Sequence, residues 1–345
     1  MIKTIEIVSL SRGILGEDFI KHELDLGVKR LKQLGITVTF SKHALKGIDF
    51  LDKHPEKRAE DLLTAFKNET VDMILCAIGG DDTYRLLPYL FEKDELKQVV
   101  NQKPFLGFSD TTINHLMLHQ LGIKTFYGQA FLPDVAELDK EMLPYSQKYL
   151  KELLETKSIS EIRPSEVWYT ERTDFSPKAL GTKRQSHPNQ GWELLQGEST
   201  FSRKILGGCL ESLYGLFDDT RHSDSPILAK KYQLFPNLSD WQERILLLET
   251  SEEKPSPKLF QKMLETLKEI GIFSVVNGIL VGKPMDETYY KEYKQILVDV
   301  IDNPSLPILY NINIGHATPR AIVPFGVHAS VDAKEQVIRF KNKDE

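Results

Sequence analysis

Two turns in the N-terminal half and two polar residues in the C-terminal half carry the side chains suited to chemistry. Gly107-Phe108-Ser109-Asp110-Thr111 follows a short apolar run and precedes a helical pattern. A serine on such a strand-to-helix turn projects its hydroxyl outward beside free backbone N–H groups, as an acyl-transfer nucleophile and half an oxyanion hole require. Thr111 stands where the hydrolase elbow Gly-x-Ser-x-Gly has glycine, and the same residues would also serve as a plain helix cap. Ile78-Gly79-Gly80-Asp81-Asp82-Thr83 ends a second apolar run. Paired glycines let backbone approach a ligand and helix N-terminal amides favour negative charge. That turn suits a ground-state phosphate, a transition-state oxyanion, or simply a capped helix. His316 lies in a Gly-His-Ala-Thr-Pro loop after an apolar stretch, where an imidazole could act as general base. Glu249 ends the apolar run 245–248, so its carboxylate emerges at the end of a buried strand and needs a partner.

The elements that must position these groups follow from periodicity. The first half alternates β-branched runs (4–9, 37–40, 71–78, 104–107) with amphipathic stretches (17–34, 55–67, 83–90, 111–121), the pattern of parallel βαβ units. Both Gly-containing turns then sit at carboxyl ends of strands, where open α/β sheets bind ligands. A helix over 140–154 precedes a polar, proline-bearing stretch, 164–191, read as a loop overhanging a site. Trp192, after Asn189-Gln190-Gly191, takes a lid position there. The second half restarts at Gly207-Gly208, with strands at 244–249, 275–281 and 307–310, helices at 257–270 and 289–301, and two closing strands at 327–331 and 336–340. The expected division is an N-terminal α/β domain (1–160), a linker and active-site loop (161–205) and a C-terminal domain (206–345).

Composition narrows the function classes. Forty-four Lys+Arg against fifty Asp+Glu give a net charge of -6, with no positive excess for a nucleic-acid backbone or an anionic membrane surface. Cys76 and Cys209 are the two cysteines, too few for a disulfide framework or a thiolate metal site. His115 and His119 share a helix face without a third ligand, so no metal is expected. The N-terminal residues lack the apolar stretch of a signal peptide, and a cytoplasmic protein is expected.

Several segments, in order, resemble the LD-carboxypeptidase family of serine peptidases, within it the MccF-like (microcin C immunity) branch. They are 77–90 (AIGGDDTYRLLPYL), 106–112 (LGFSDTT), 126–128 (FYG), 206–208 (LGG), 246–250 (LLLET), Gly315-His316 and 324–326 (PFG). The resemblance implies a Ser109, Glu249, His316 triad with an oxyanion hole from the Gly80 and Asp110 amides. Gly79, Asp81, Trp192 and Cys209 become candidate substrate contacts. It further implies a flavodoxin-like N-terminal domain, a C-terminal mixed α/β domain with a barrel-like sheet, a homodimer, a small peptide substrate and no cofactor. The implied reaction is hydrolysis of the amide before a C-terminal residue, in an LD-linked muropeptide or a microcin C-like conjugate. Two departures stand out. Cys209 occupies a position where the family often has asparagine, and Thr250-Ser251-Glu252-Glu253 is acidic where microcin-cleaving members are basic. Two rival readings remain. The Gly-Gly-Asp-Asp loop also resembles the Gly-Gly-Asp-Gly-Thr loop of NAD kinase-like, diacylglycerol kinase-like and phosphofructokinase-like enzymes, with Asp82 for the third glycine, which would make a small-molecule kinase. The other is a non-catalytic binding protein of related fold.

Overall fold

A computed structural model describes residues 1–341. Five short strands form the body of the first sheet: β1 (Thr4–Val8), β2 (Thr37–Phe40), β3 (Met73–Cys76), β4 (Phe105–Gly107) and β5 (Thr125–Tyr127). They pair in parallel in the order β2-β1-β3-β4-β5. That is the flavodoxin-like order, and its topological switch point lies between β1 and β3. The βαβ reading of the first half therefore holds. β3 is the apolar run MILC, buried at every residue, as a central parallel strand covered on both faces must be.

The remaining strands are β6 (Glu161–Ile162), β7 (Val167–Tyr169), β8 (Ser186–Pro188), β9 (Glu193–Gln196), β10 (Thr200–Cys209), β11 (Arg244–Glu249), β12 (Ile279–Gly282), β13 (Ile308–Ile312), β14 (Val323–Phe325), β15 (His328–Asp332) and β16 (Val337–Lys341). Eight of them make a mixed, curled second sheet in the order β6-β16-β15-β10-β11-β12-β13-β9. β10 through β13 run parallel, and the flanking pairs are antiparallel. The helices Pro257–Ile270 and Tyr290–Ile301 cover this sheet, with Phe260 stacked on Tyr293 at 4.0 Å. The first starts where Ser256 caps the Leu259 amide and ends at Gly271 in the left-handed region.

Two features depart from the sequence reading. Residues 161–205 contribute β6, β9 and the start of β10 to the second sheet, and β7 and β8 form their own hairpin, so this stretch is knit into the fold. Hydrophobic alternation there is too short to register as strands. β14 crosses back to pair antiparallel with β5, closing the first sheet with chain from the C-terminal half. One hydrophobic cluster runs through both sheets. At the seam the Cys209 amide donates to Thr112 Oγ1 at 2.9 Å, which fixes the carboxyl end of β10 against the helix that follows β4.

Candidate active site

Ser109 sits two residues past the end of β4 with φ +67°, a left-handed conformation unusual for a residue with a Cβ. Strain of this kind is stored where function holds a side chain in one place. The neighbouring turn makes room for it. A Cβ on Gly79 would stand 2.7 Å from Ser109 Cβ and 2.8 Å from its Oγ, so only glycine fits. The same Cβ would lie 3.3 Å from the Asp110 nitrogen, which places the Asp110 amide beside the Gly-Gly turn. Among the described residues the Gly80 amide donates to no acceptor. The two strand-end turns thus meet around the serine hydroxyl.

His316 Nε2 lies 3.0 Å from Ser109 Oγ, and its Nδ1 lies 2.7 Å from Glu249 Oε2. Glu249 ends β11 as a charge nearly excluded from solvent, and its oxygens are occupied. Oε2 also accepts the His316 amide at 3.2 Å, and Oε1 accepts the Tyr127 hydroxyl at 2.5 Å. Tyr127 in turn accepts the Ser109 amide at 3.2 Å, linking the Ser109 backbone and the Glu249 carboxylate across the two sheets. Gly315, at φ +80°, leaves the space that the Glu249 carboxylate fills. Arg320 braces the loop: it donates to the His316 carbonyl at 3.0 Å, pairs with Asp134 at 3.2 Å and lies over the Phe108 ring.

A second carboxylate touches the imidazole. Glu252 Oε2 is 3.0 Å from His316 Nε2, the nitrogen that also faces Ser109. Burial disfavours the charged ring, but the Glu249 charge and hydrogen bond, then Glu252, outweigh it and raise His316 to about 10. The hydrogen bond from His316 pulls Glu252 down to about 2. In this arrangement the charged form of the ring is favoured. The Glu252 side chain is 63% exposed, so it can leave the ring without disturbing the core. Glu211 orders the turn that carries it, accepting the Ser251 amide at 2.8 Å and hydroxyl at 2.6 Å.

Space opens on both sides of Ser109. A cavity of about 640 Å³ is lined by Arg12, Gly79, Gly80, Ser109, Glu252 and His316, with an apolar wall that includes Phe19 and Phe175. Arg172 and Arg184 line it too, both paired with Glu137. Arg12 follows β1 at the topological switch point, and its guanidinium has no carboxylate within salt-bridge distance among the described residues. A smaller chamber of about 60 Å³ is lined by Asp81, Asp110 and Cys209 beside the same serine. Burial raises the Cys209 thiol well above its ordinary range, so it is no rival nucleophile. Burial also raises the Asp110 carboxyl, to about 6.

The structure brings together Ser109, Glu249, His316, Gly79, Gly80, Asp81, Asp110 and Cys209. It does not bring Trp192, which is 5% exposed, joins the core and lines neither chamber. Its backbone is tied to Gln336 instead. The lid expectation fails because the stretch around it pairs as strands. Asp82 is clamped by Arg58 at 2.6 Å and Arg85 at 2.8 Å, and Ser11 Oγ takes the Asp81 and Asp82 amides. The Asp81 and Asp82 amides that a phosphate on this turn would need are already used, which weakens the kinase reading. Sequence reasoning missed Arg12, Tyr127, Glu211 and Glu252. Only Tyr127 had a signal, its place in the FYG motif. Among the described residues no group of three or more His, Cys, Asp or Glu is arranged to hold a metal, and no helix is long and apolar enough to cross a membrane.

Known proteins carry the same organisation. Residues 5–128 match the LD-carboxypeptidase N-terminal domain and residues 203–331 the LD-carboxypeptidase C-terminal domain. The Bacillus subtilis (strain 168) protein YocD, named as a carboxypeptidase, is 27% identical over 88% of this chain and 86% of its own. The Microcin C7 self-immunity protein MccF of Escherichia coli is 23% identical over 90% and 86%. A Bacillus subtilis (strain 168) protein named as a murein peptide carboxypeptidase is 26% identical over 91% and 85%. The crystal structure of an MccF-like protein from Streptococcus pneumoniae in complex with AMP superposes with a TM-score of 0.98, at 68% identity over 99% of each chain. With both domains matched in order and the two strand-end turns facing one histidine, the chain belongs to the LD-carboxypeptidase family of peptidases.

Proposed function

We propose that the protein is a serine carboxypeptidase that cleaves the amide before a C-terminal residue through Ser109, His316 and Glu249. The observation that carries this reading is the hydrogen-bonded chain from Ser109 Oγ through the imidazole to Glu249, opening into a cavity that holds an unpaired arginine. Substrate entry displaces Glu252 from Nε2, and the ring gives up its proton to solvent. Neutral His316 then takes the Ser109 proton as Oγ attacks the carbonyl carbon, while Glu249 orients the ring and offsets its charge. The Gly80 and Asp110 amides donate to the oxyanion. His316 returns the proton to the leaving amine, the C–N bond breaks, and water hydrolyses the acyl-enzyme by the same route. Arg12 receives the carboxylate of the departing residue, since a fork of donors matches a carboxylate in both oxygens.

The favoured substrate is a short peptide ending in an LD bond, as the family description suggests. A second reading, an aminoacyl-nucleotide conjugate, rests on the AMP held by the 68% identical structure. The acidic turn at Glu252 and Glu253 argues against phosphate contacts from that segment. The protein works as a homodimer in the cytoplasm on this reading, in keeping with two buried free cysteines. The test is release of the terminal residue from an LD-linked tetrapeptide and, in parallel, from a processed microcin C-like conjugate. Wild type cleaves the tetrapeptide. Ser109→Ala folds normally and loses at least about a thousandfold in turnover. Full activity in that variant would sink the proposal, and cleavage of the conjugate alone would transfer it to the second reading.

A further inference from the structure

A second cavity, of about 1110 Å³, lies away from Ser109, where the middle of β10 and the amino end of β11 meet the start of β5. Its floor is a row of basic residues set in register across four neighbouring strands. Arg244 on β11 lies opposite Lys204 on β10, Lys204 opposite His328 on β15, and His328 opposite Lys341 on β16. Directly opposed side chains on one face stand about 4.5–5.5 Å apart at Cβ, and like charges there repel. His119, Lys124 and Lys230 join the lining from outside the row, against a single carboxylate, Asp240.

None of Lys124, Lys204, Lys230, Arg244 and Lys341 has a carboxylate within salt-bridge distance among the described residues. Arg244 Nη1 donates to the Glu243 carbonyl, but Arg244 Nε and His328 Nδ1 are buried without any partner. Buried polar nitrogens of this kind need a partner, and the guanidinium Nε needs an acceptor. The composition sharpens the point, because carboxylates outnumber cations in this chain by fifty to forty-four. An acidic protein has gathered unpaired cations into one concavity. Burial, together with the nearby Arg244 and Lys204 charges, keeps His119 down at about 4, so the crowding is felt by the imidazole as well. The row lies five residues, roughly 17 Å of strand, upstream of Cys209 and Glu249.

We infer that this cavity is a binding site for a small, multiply charged anion, a phosphate or a polycarboxylate, seated over Lys204, Arg244, His328 and Lys341. The inference is independent of the peptidase reading. Thermal unfolding of the full chain is followed with inorganic pyrophosphate or citrate at fixed ionic strength, in wild type and in the double variant Lys204→Gln/Lys341→Gln. Both replaced side chains are exposed, so folding and peptidase activity stay intact. Wild type shows a saturable rise in Tm with one or both anions, and which anion acts separates phosphate from carboxylate. The double variant binds at least about tenfold more weakly, read from the anion concentration at half effect. The inference is overturned if neither anion gives saturable stabilisation, or if the double variant responds like wild type. It is equally overturned if sedimentation shows a dimer in wild type and a monomer in the double variant with no anion response, since the row would then face a second copy of this chain.

Discussion

The two ends of β10 and β11 are built on opposite electrostatic terms. At the carboxyl ends Cys209 lies opposite Glu249, whose two oxygens take the Tyr127 hydroxyl, the His316 ring and the His316 amide. Around it Arg172, Arg184, Lys254 and Arg320 each sit against a carboxylate, and among the described residues Arg12 is the one cation of that cavity that does not. Where the β10–β11 pairing begins, Lys204 lies opposite Arg244, and the row continues through His328 to Lys341 without an acid. A buried charge whose partners all come from the protein is held in one geometry before substrate arrives, which is what preorganised catalysis needs. A set of like charges left facing one another is stable only at a cost, and it falls in energy when an outside anion enters. One pair of strands therefore carries a site complete in itself and a site completed from outside.

The largest effect should come from breaking the complete end. Glu249→Gln keeps an acceptor for Tyr127 but removes the charge that stabilises imidazolium and the acceptor that fixes the ring tautomer. Turnover of the tetrapeptide should fall roughly 10³- to 10⁴-fold, with circular dichroism unchanged. A variant with near-normal turnover would show that Glu249 serves packing rather than the base.

That end was largely legible in the sequence, and the reason is local. Apolar runs closed by Gly-Gly-Asp-Asp and Gly-Phe-Ser-Asp announce strand-end turns, and a glutamate closing Ile245-Leu246-Leu247-Leu248 announces a buried charge. Tyr127 was harder, because its task depends on β5 and β11 approaching from different sheets. Glu252 stands in the sequence only as part of an acidic turn, and only the placement of His316 turns it into a competitor for Nε2. Trp192 misled because an aromatic in a polar stretch suggests a lid, whereas β9 pairs with β13 and draws it into the core. The basic row was invisible. Lys204, Arg244, His328 and Lys341 come from distant parts of the chain, and register alone aligns them.

Arg12 tests the exception within the complete end. Arg12→Ala should raise KM for the tetrapeptide roughly 10- to 100-fold, the loss of a charge-assisted pair to the terminal carboxylate. KM for the same peptide with an amidated C-terminus should hardly change. Equal losses on both substrates would assign Arg12 to a structural role.

Glu252 probes how the complete end is held closed. His316 is raised to about 10, partly by Glu252, and the base works only when deprotonated, so kcat/KM should climb with pH well beyond neutrality in wild type. Glu252→Gln removes one of the carboxylates favouring imidazolium. The ring then deprotonates at lower pH, and the acid limb of kcat/KM should move down by roughly one unit, the low end of what a charge within 4–6 Å contributes. At neutral pH this variant should be faster than wild type, by up to about tenfold. An unmoved limb, or one shifted upward, would mean that Glu252 does not share Nε2 in solution.

The smallest effect belongs to the open end, and its sign is diagnostic. Lys204 is exposed and stands between Arg244 and His328, with the like charge of Arg244 directly opposite. Removing its charge by Lys204→Gln should stabilise the protein without added anion by about 0.2–1 kcal/mol, the range of a cross-strand pair. The gain, read from chemical denaturation, should shrink as salt is raised, because these charges are screened over about 10 Å at 0.1 M. With pyrophosphate present the order should reverse, wild type becoming the more stable because it retains the lysine that the anion uses. A Lys204→Gln protein less stable than wild type at low salt would show that the lysine already has a partner, and the contrast between the two ends of β10 would collapse.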